Sequence, residues 1–71
     1  MANEHAVRLS GHVSVFDDDR GLGEVVSDGG VYPFHCVSIA DGSRTIAGDA
    51  SVTFVVLHKL GRHEAADIRL A

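Results

Sequence analysis

Glycine-bearing turns recur roughly every ten residues along this chain, and no stretch between them keeps a helical period. The runs between the turns are short and rich in valine, a β-branched residue that packs well on a pleated surface. Such a chain is confined to an all-β sandwich or small barrel. The first strand is predicted over Val7 to Phe16, with Leu9 and Val13 inward and Gly11 at a bulge or sharp bend. After the acidic turn "DDDRG", a second strand runs from Leu22 to Ser27. "SDGG" then signals a tight hairpin, because Asp-Gly and Gly-Gly tolerate the positive φ that such turns need. In the third strand, "VYPFHC", alternation sets Tyr32 and Phe34 inward and Pro33 and His35 outward, with Pro33 unable to donate to a ladder. The long connection "VSIADGSRTIAGDA" has Ile39 and Ile46 as core anchors. A fourth strand, "SVTFVVLH", puts Val52, Phe54 and Val56 on one face, and a fifth, "EAADIRL", has Ile68 as its core residue. Five strands with one long link between the third and fourth describe a closed Greek-key barrel of the OB type over residues 7–71, preceded by a tail over 1–6. Closure would remove the free strand edges that invite aggregation in so small a β protein.

Seventy-one residues make one small domain, which buries only about 60% of its unfolded surface. Cys36 is the single cysteine, so no internal disulfide supplements the core, and a lone thiol fits a reducing, cytoplasmic setting. The opening "MANEHAVRLSG" lacks the pattern of a secretory signal, and no apolar run reaches the roughly 20 residues that span a bilayer. A soluble protein without a membrane partner is expected. The net charge is −4, from six Lys and Arg against ten Asp and Glu. Proteins that grip polyanions usually carry a basic patch, so this balance weighs against strong nucleic-acid binding. His5, His12, His35, His58 and His63 add positive charge only as pH falls toward about 6.5.

Chemistry-bearing clusters are few. After Asp17, Asp18 and Asp19 no glycine or glutamate follows at EF-hand spacing. His58 and His63 have a zinc-finger spacing, but the cysteine pair of such a site is missing. His35 and Cys36 are adjacent strand residues, which point to opposite faces, and no third group completes a catalytic set. Gly21 and Gly23 lack the third glycine and the following helix of a dinucleotide fingerprint. No enzyme, cofactor or metal is expected.

The segment opening at Gly11, the motif Arg20-Gly21-Leu22-Gly23 and the motif Tyr32-Pro33-Phe34-His35 carry a resemblance, from Gly11 to Ile68, to the cold-shock domain. Gly11, Val13, Ser14, Val15 and Phe16 stand where that family opens with a glycine, a hydrophobic residue, a lysine, a tryptophan and a phenylalanine. Arg20-Gly21-Leu22-Gly23-Glu24-Val25 resembles its first ribonucleoprotein motif, Lys-Gly-Phe-Gly-Phe-Ile. Tyr32-Pro33-Phe34-His35-Cys36 resembles its second, Val-Phe-Val-His-Phe. "RTIAGDASVTFVV" and "LGRHEAADI" are similar to the stretch entering the fourth strand and to the close of the domain. The resemblance implies a five-stranded barrel on which bases of single-stranded RNA or DNA stack. At the ring positions of that platform this chain has Val15, Leu22, Glu24, Pro33 and Cys36.

Stacking is worth about 1–3 kcal/mol per base, so losing several rings removes on the order of 5 kcal/mol. That turns a nanomolar binder into a micromolar one or weaker. Weak, sequence-tolerant binding is therefore expected, through Arg20 on phosphate, His35 and Phe16 on bases, and Val15 and Leu22 as apolar rests. Ser14, Arg44, Lys59 and Arg62 would add polar or phosphate contacts. Each residue also has a plainer reading. Arg20 would pair with Asp17, Asp18 or Asp19, Phe16 would be half-buried at a rim, and the rest would be ordinary surface. The rival function is a protein-interaction or self-association module, with Val15, Leu22, Pro33 and Cys36 at the centre of an apolar patch.

Overall fold

The computed structural model describes residues 8–71, with the Lys59 side chain set aside. The expected 1–6 tail and Val7 lie outside the described residues. Five antiparallel strands form one sheet: β1 Leu9–Asp17, β2 Leu22–Ser27, β3 Gly30–His35, β4 Ser51–Lys59 and β5 Arg62–Leu70. Their order across the sheet is β3-β2-β1-β4-β5. A single 3-10 turn over Cys36–Ser38 follows β3, where the sequence reading carried the third strand through Cys36.

Local chemistry sets the strand ends. Asp17 Oδ1 accepts the Asp19 and Arg20 N–H groups at 3.0 and 3.3 Å, and its carbonyl accepts the Gly21 N–H at 2.8 Å, which folds the β1–β2 turn. Asp28 and Gly29 have φ of 50° and 77°, the paired positive angles of the tightest hairpin turn. Leu60 and Gly61 repeat that geometry between β4 and β5, at 48° and 80°.

Two bulges shift which side chains face inward. On β1 the register with β2 skips Ser14 between Val13 and Val15, so Ser14 and Val15 are both exposed and Phe16 turns inward. The bulge of β1 lies here and not at Gly11. At Gly11 the neighbouring backbone comes close: a β carbon there would lie 2.4 Å from the Val26 carbonyl. On β5, two residues, Asp67 and Ile68, oppose Phe54 of β4, and Asp67 adopts φ 48°. Arg8 bonds both the carboxylate and the carbonyl of Asp67, and Arg69 pairs with that carboxylate at 3.1 Å.

The buried core is Val13, Val25, Phe34, Ile39, Val52, Phe54, Ala65 and Ile68, with Leu9, Phe16, Tyr32, Ile46 and Val56 packed against it. Each of the larger aliphatic or aromatic side chains contributes about 1.5–3 kcal/mol on full burial. Tyr32 and Ile46, expected inside, are partly buried, and Ala65 joins the core unannounced. Phe16 and Phe34 stand two strands apart, yet their rings stack at 5.8 Å and 6° because Gly23, paired with both, leaves room between them. The connection to β4 crosses one end of the sheet. At its start Ile39 bridges Ile68 and the Ala40 N–H reaches the Ile68 carbonyl at 2.8 Å. At its finish Asp49 and Ala50 bond both backbone groups of Val13. β3 and β5, the outer strands of the sheet, are in contact.

Candidate functional site

With the core taking one side of the sheet, register alone decides what shares the other. Val15, Glu24 and Pro33 are directly paired across β1, β2 and β3, and so are Asp17, Leu22 and His35. These two rows lie side by side on the outer face. Val15 is 52% and Leu22 48% exposed, so the rows offer real apolar surface to solvent. A shallow hollow of about 340 Å³ opens here, with Val15, Leu22, Glu24 and Pro33 in its walls and Arg62 reaching its edge from β5.

The structure therefore brings Val15, Leu22 and His35 together, with Ser14 beside them through its hydroxyl, which donates to the Glu24 carbonyl at 3.4 Å. Arg20 stands at the adjoining turn, its Nε 3.8 Å from Asp17 Oδ2. Phe16 is on the opposite face, stacked on Phe34. Arg44 sits in the connection before β4, at φ 64°, next to Thr45, whose hydroxyl donates to Asp18 at 2.7 Å. Lys59 ends β4, and its side chain lies outside the described residues. Glu24, Pro33 and Arg62 are the members of this face that ring-counting on the motifs undervalued. Register unites Glu24 with Pro33, and the contact of β5 with β3 brings Arg62 to the same hollow.

Charge on the face is divided. Among the described residues Arg8, Arg20, Arg62 and Arg69 all have carboxylate partners, Arg44 has none, and Glu24 has no cationic partner. Arg62 lies 3.6 Å from Glu64. His35 Nδ1 accepts the Val37 N–H at 3.3 Å, which leaves the ring proton of the neutral form on Nε2. Cys36 Sγ approaches the same Nδ1 at 3.7 Å. The sequence expectation that His35 and Cys36 point apart is thus corrected: the strand ends at His35, and the 3-10 turn brings the thiol back toward the ring.

Two further features lie away from this face. A groove of about 980 Å³ opens at the end crossed by the connection, floored by Phe16, Ile39, Ile46 and Ile68 and edged by Asp18, Asp41, Asp67 and Arg69. Hydrogen bonds from Ser43 hold Asp41 below the usual carboxylate range, and the Arg8 hydrogen bond does the same for Asp67, outweighing burial, with a lesser contribution from Arg69. At the far tip of the β4–β5 hairpin, His58 and His63 are cross-strand partners with ring centroids 4.4 Å apart. Among the described residues no three His, Cys, Asp or Glu side chains cluster as metal ligands, and no helix is long and apolar enough to cross a membrane. In comparison with known proteins, the chain matches no family model and no curated protein.

Proposed function

We propose that this chain is a closed Greek-key barrel of cold-shock type that binds single-stranded RNA or DNA weakly and with little sequence preference, in the cytoplasm. The strand order, the contact of β3 with β5 and the Ile39–Ile68 bridge support closure. One observation carries the binding reading. Val15, Leu22, Glu24 and Pro33, which stand at the ring positions of the resembling family, share one open face with His35, away from the core. Valine, leucine and proline still present apolar surface to a base, and Arg20 and Arg62 lie within reach of a backbone. Paired arginines and a central Glu24 make that attraction small.

The test is fluorescence anisotropy of labelled pyrimidine-rich oligonucleotides, with the wild-type chain and with Leu22→Phe. Wild-type binding in the micromolar range, falling with salt, is expected. The restored ring tightens it about 5- to 150-fold, as stacking of about 1–3 kcal/mol requires. No binding by the wild-type chain at high micromolar protein and low salt overturns the reading.

A second reading has its own support. Asp17 engages Arg20, and Glu24 stands unpaired among the described residues beside half-exposed Val15 and Leu22 and partly buried Pro33, an arrangement suited to a protein partner or a second copy. Concentration-dependent self-association that Leu22→Asp abolishes would favour it.

A further inference from the structure

The tip of the β4–β5 hairpin carries a pair of histidines that neither reading of the outer face uses. Lys59 and Arg62 flank the two-residue turn Leu60-Gly61, and His58 and His63 are the next pair along the ladder. In a two-residue hairpin the pair beside the turn exchanges hydrogen bonds, so the following pair does not. Non-bonded pairs have the shorter separation, about 4.5 Å between α carbons, and their side chains lie closest together. Both rings therefore project side by side from a backbone that the turn holds in register.

The spacing of the rings fits a specific use. A late first-row divalent ion sits about 2.0–2.1 Å from an imidazole nitrogen, hence roughly 3.2 Å from the ring centre. Two imidazoles bound at adjacent corners, about 90° apart, then have centres about 4.5 Å apart. The observed separation is 4.4 Å, with a tilt of 49°. Both residues are exposed, so solvent and a metal reach them freely. Strand alternation also sends Arg62 and Glu64 to the other side of β5 from His63, which keeps the Arg62 cation off the imidazoles.

We infer that His58 and His63 form a two-imidazole chelate for a late first-row divalent cation with ligands at right angles, such as Ni(II) or Cu(II), with water in the remaining positions. Imidazole suits these ions, and rigid cross-strand placement avoids much of the ordering cost that two mobile histidines would incur. The site is separate from the outer face, so it stands or falls independently of the proposed function.

Nickel chloride is the probe, because Ni(II) does not oxidise the Cys36 thiol and its paramagnetism reports position. In a ¹H–¹⁵N spectrum, substoichiometric nickel broadens the amides of residues 57–64 first. Titration calorimetry gives one site, which His58→Ala and His63→Ala each weaken at least tenfold. Both positions are exposed, and unchanged spectra of the metal-free variants show that the fold is intact. Broadening centred elsewhere, as near His35 and Cys36, unchanged affinity in the double variant, or no broadening at millimolar nickel overturns the inference.

Discussion

A methyl group on Gly23 would lie 2.7 Å from Phe34 Cζ, 2.8 Å from the Val15 carbonyl and 2.9 Å from Phe16 Cδ1. Neither ring can retreat without losing the stack, and the carbonyl belongs to the ladder. Gly23→Ala is therefore expected to cost about 1–3 kcal/mol through overpacking, read as a lower urea midpoint at unchanged slope. An unaltered midpoint would mean that the two rings part freely. Asp67 poses a different question, because its left-handed backbone is tied by Arg8 at both carboxylate and carbonyl. The folded carboxyl is held below its ordinary value, first by the Arg8 hydrogen bond. An unfolded chain then binds the proton more readily than the folded one. The stabilisation is fully present above the unfolded value near 3.9 and drains away as pH falls through the lower, folded one. Melting temperature should fall between about pH 5 and pH 2, and Arg8→Gln should flatten that fall while leaving the share due to Asp41. An identical acid profile in the variant would separate Arg8 from the effect.

The two tight hairpins have one geometry and unequal residues. Asp28-Gly29 is a favoured pair for positive φ at both positions, whereas Leu60 holds φ 48° with its side chain fully in solvent. Nothing offsets the left-handed cost at Leu60, so Leu60→Asn should stabilise the chain by about 1 kcal/mol. Thermal unfolding checks it, and a lower midpoint would show that Leu60 makes a contact in solution. The β2 strand and the "SDGG" hairpin were legible because glycine and alternation agree there. The bulges were legible only in part. Inward residues run Leu9, Gly11, Val13 and then Phe16, and later Ala65 and then Ile68. Each step of three breaks the period of two, which is the mark of an inserted residue. Placing a bulge or sharp bend at Gly11 followed the residue that lacks a β carbon, whereas the bulge lies at Ser14, where the period slips. Ala65 was overlooked because a small side chain carries little hydrophobic signal until its strand partner, Val56, is known.

At the scale of the molecule, the all-β architecture followed from turn spacing and valine content. The outer face could not be read as fully, since Glu24 and Arg62 come to one hollow only through contacts between strands distant in sequence. Whether the sheet closes on itself turns on the seam at Ile39 and Ile68. A chain of 71 residues has on the order of 4–10 kcal/mol of stability. Fully buried Ile68 cut to alanine removes about 2–5 kcal/mol of it. That loss alone would not distinguish a closed cylinder from a well-packed open sheet. The amide of Ala40 does, because its hydrogen bond to the Ile68 carbonyl crosses the seam. In a closed barrel this proton exchanges only when the whole domain opens, at a rate matching the central β1 amide of Val13. An Ile39→Ala and Ile68→Ala cycle should then show coupling of about 0.5 kcal/mol or more. If Ala40 exchanges orders of magnitude faster than Val13 and the cycle shows no coupling, the seam frays locally. The sheet would then present β3 and β5 as free edges, and the connection would cover its end without joining them.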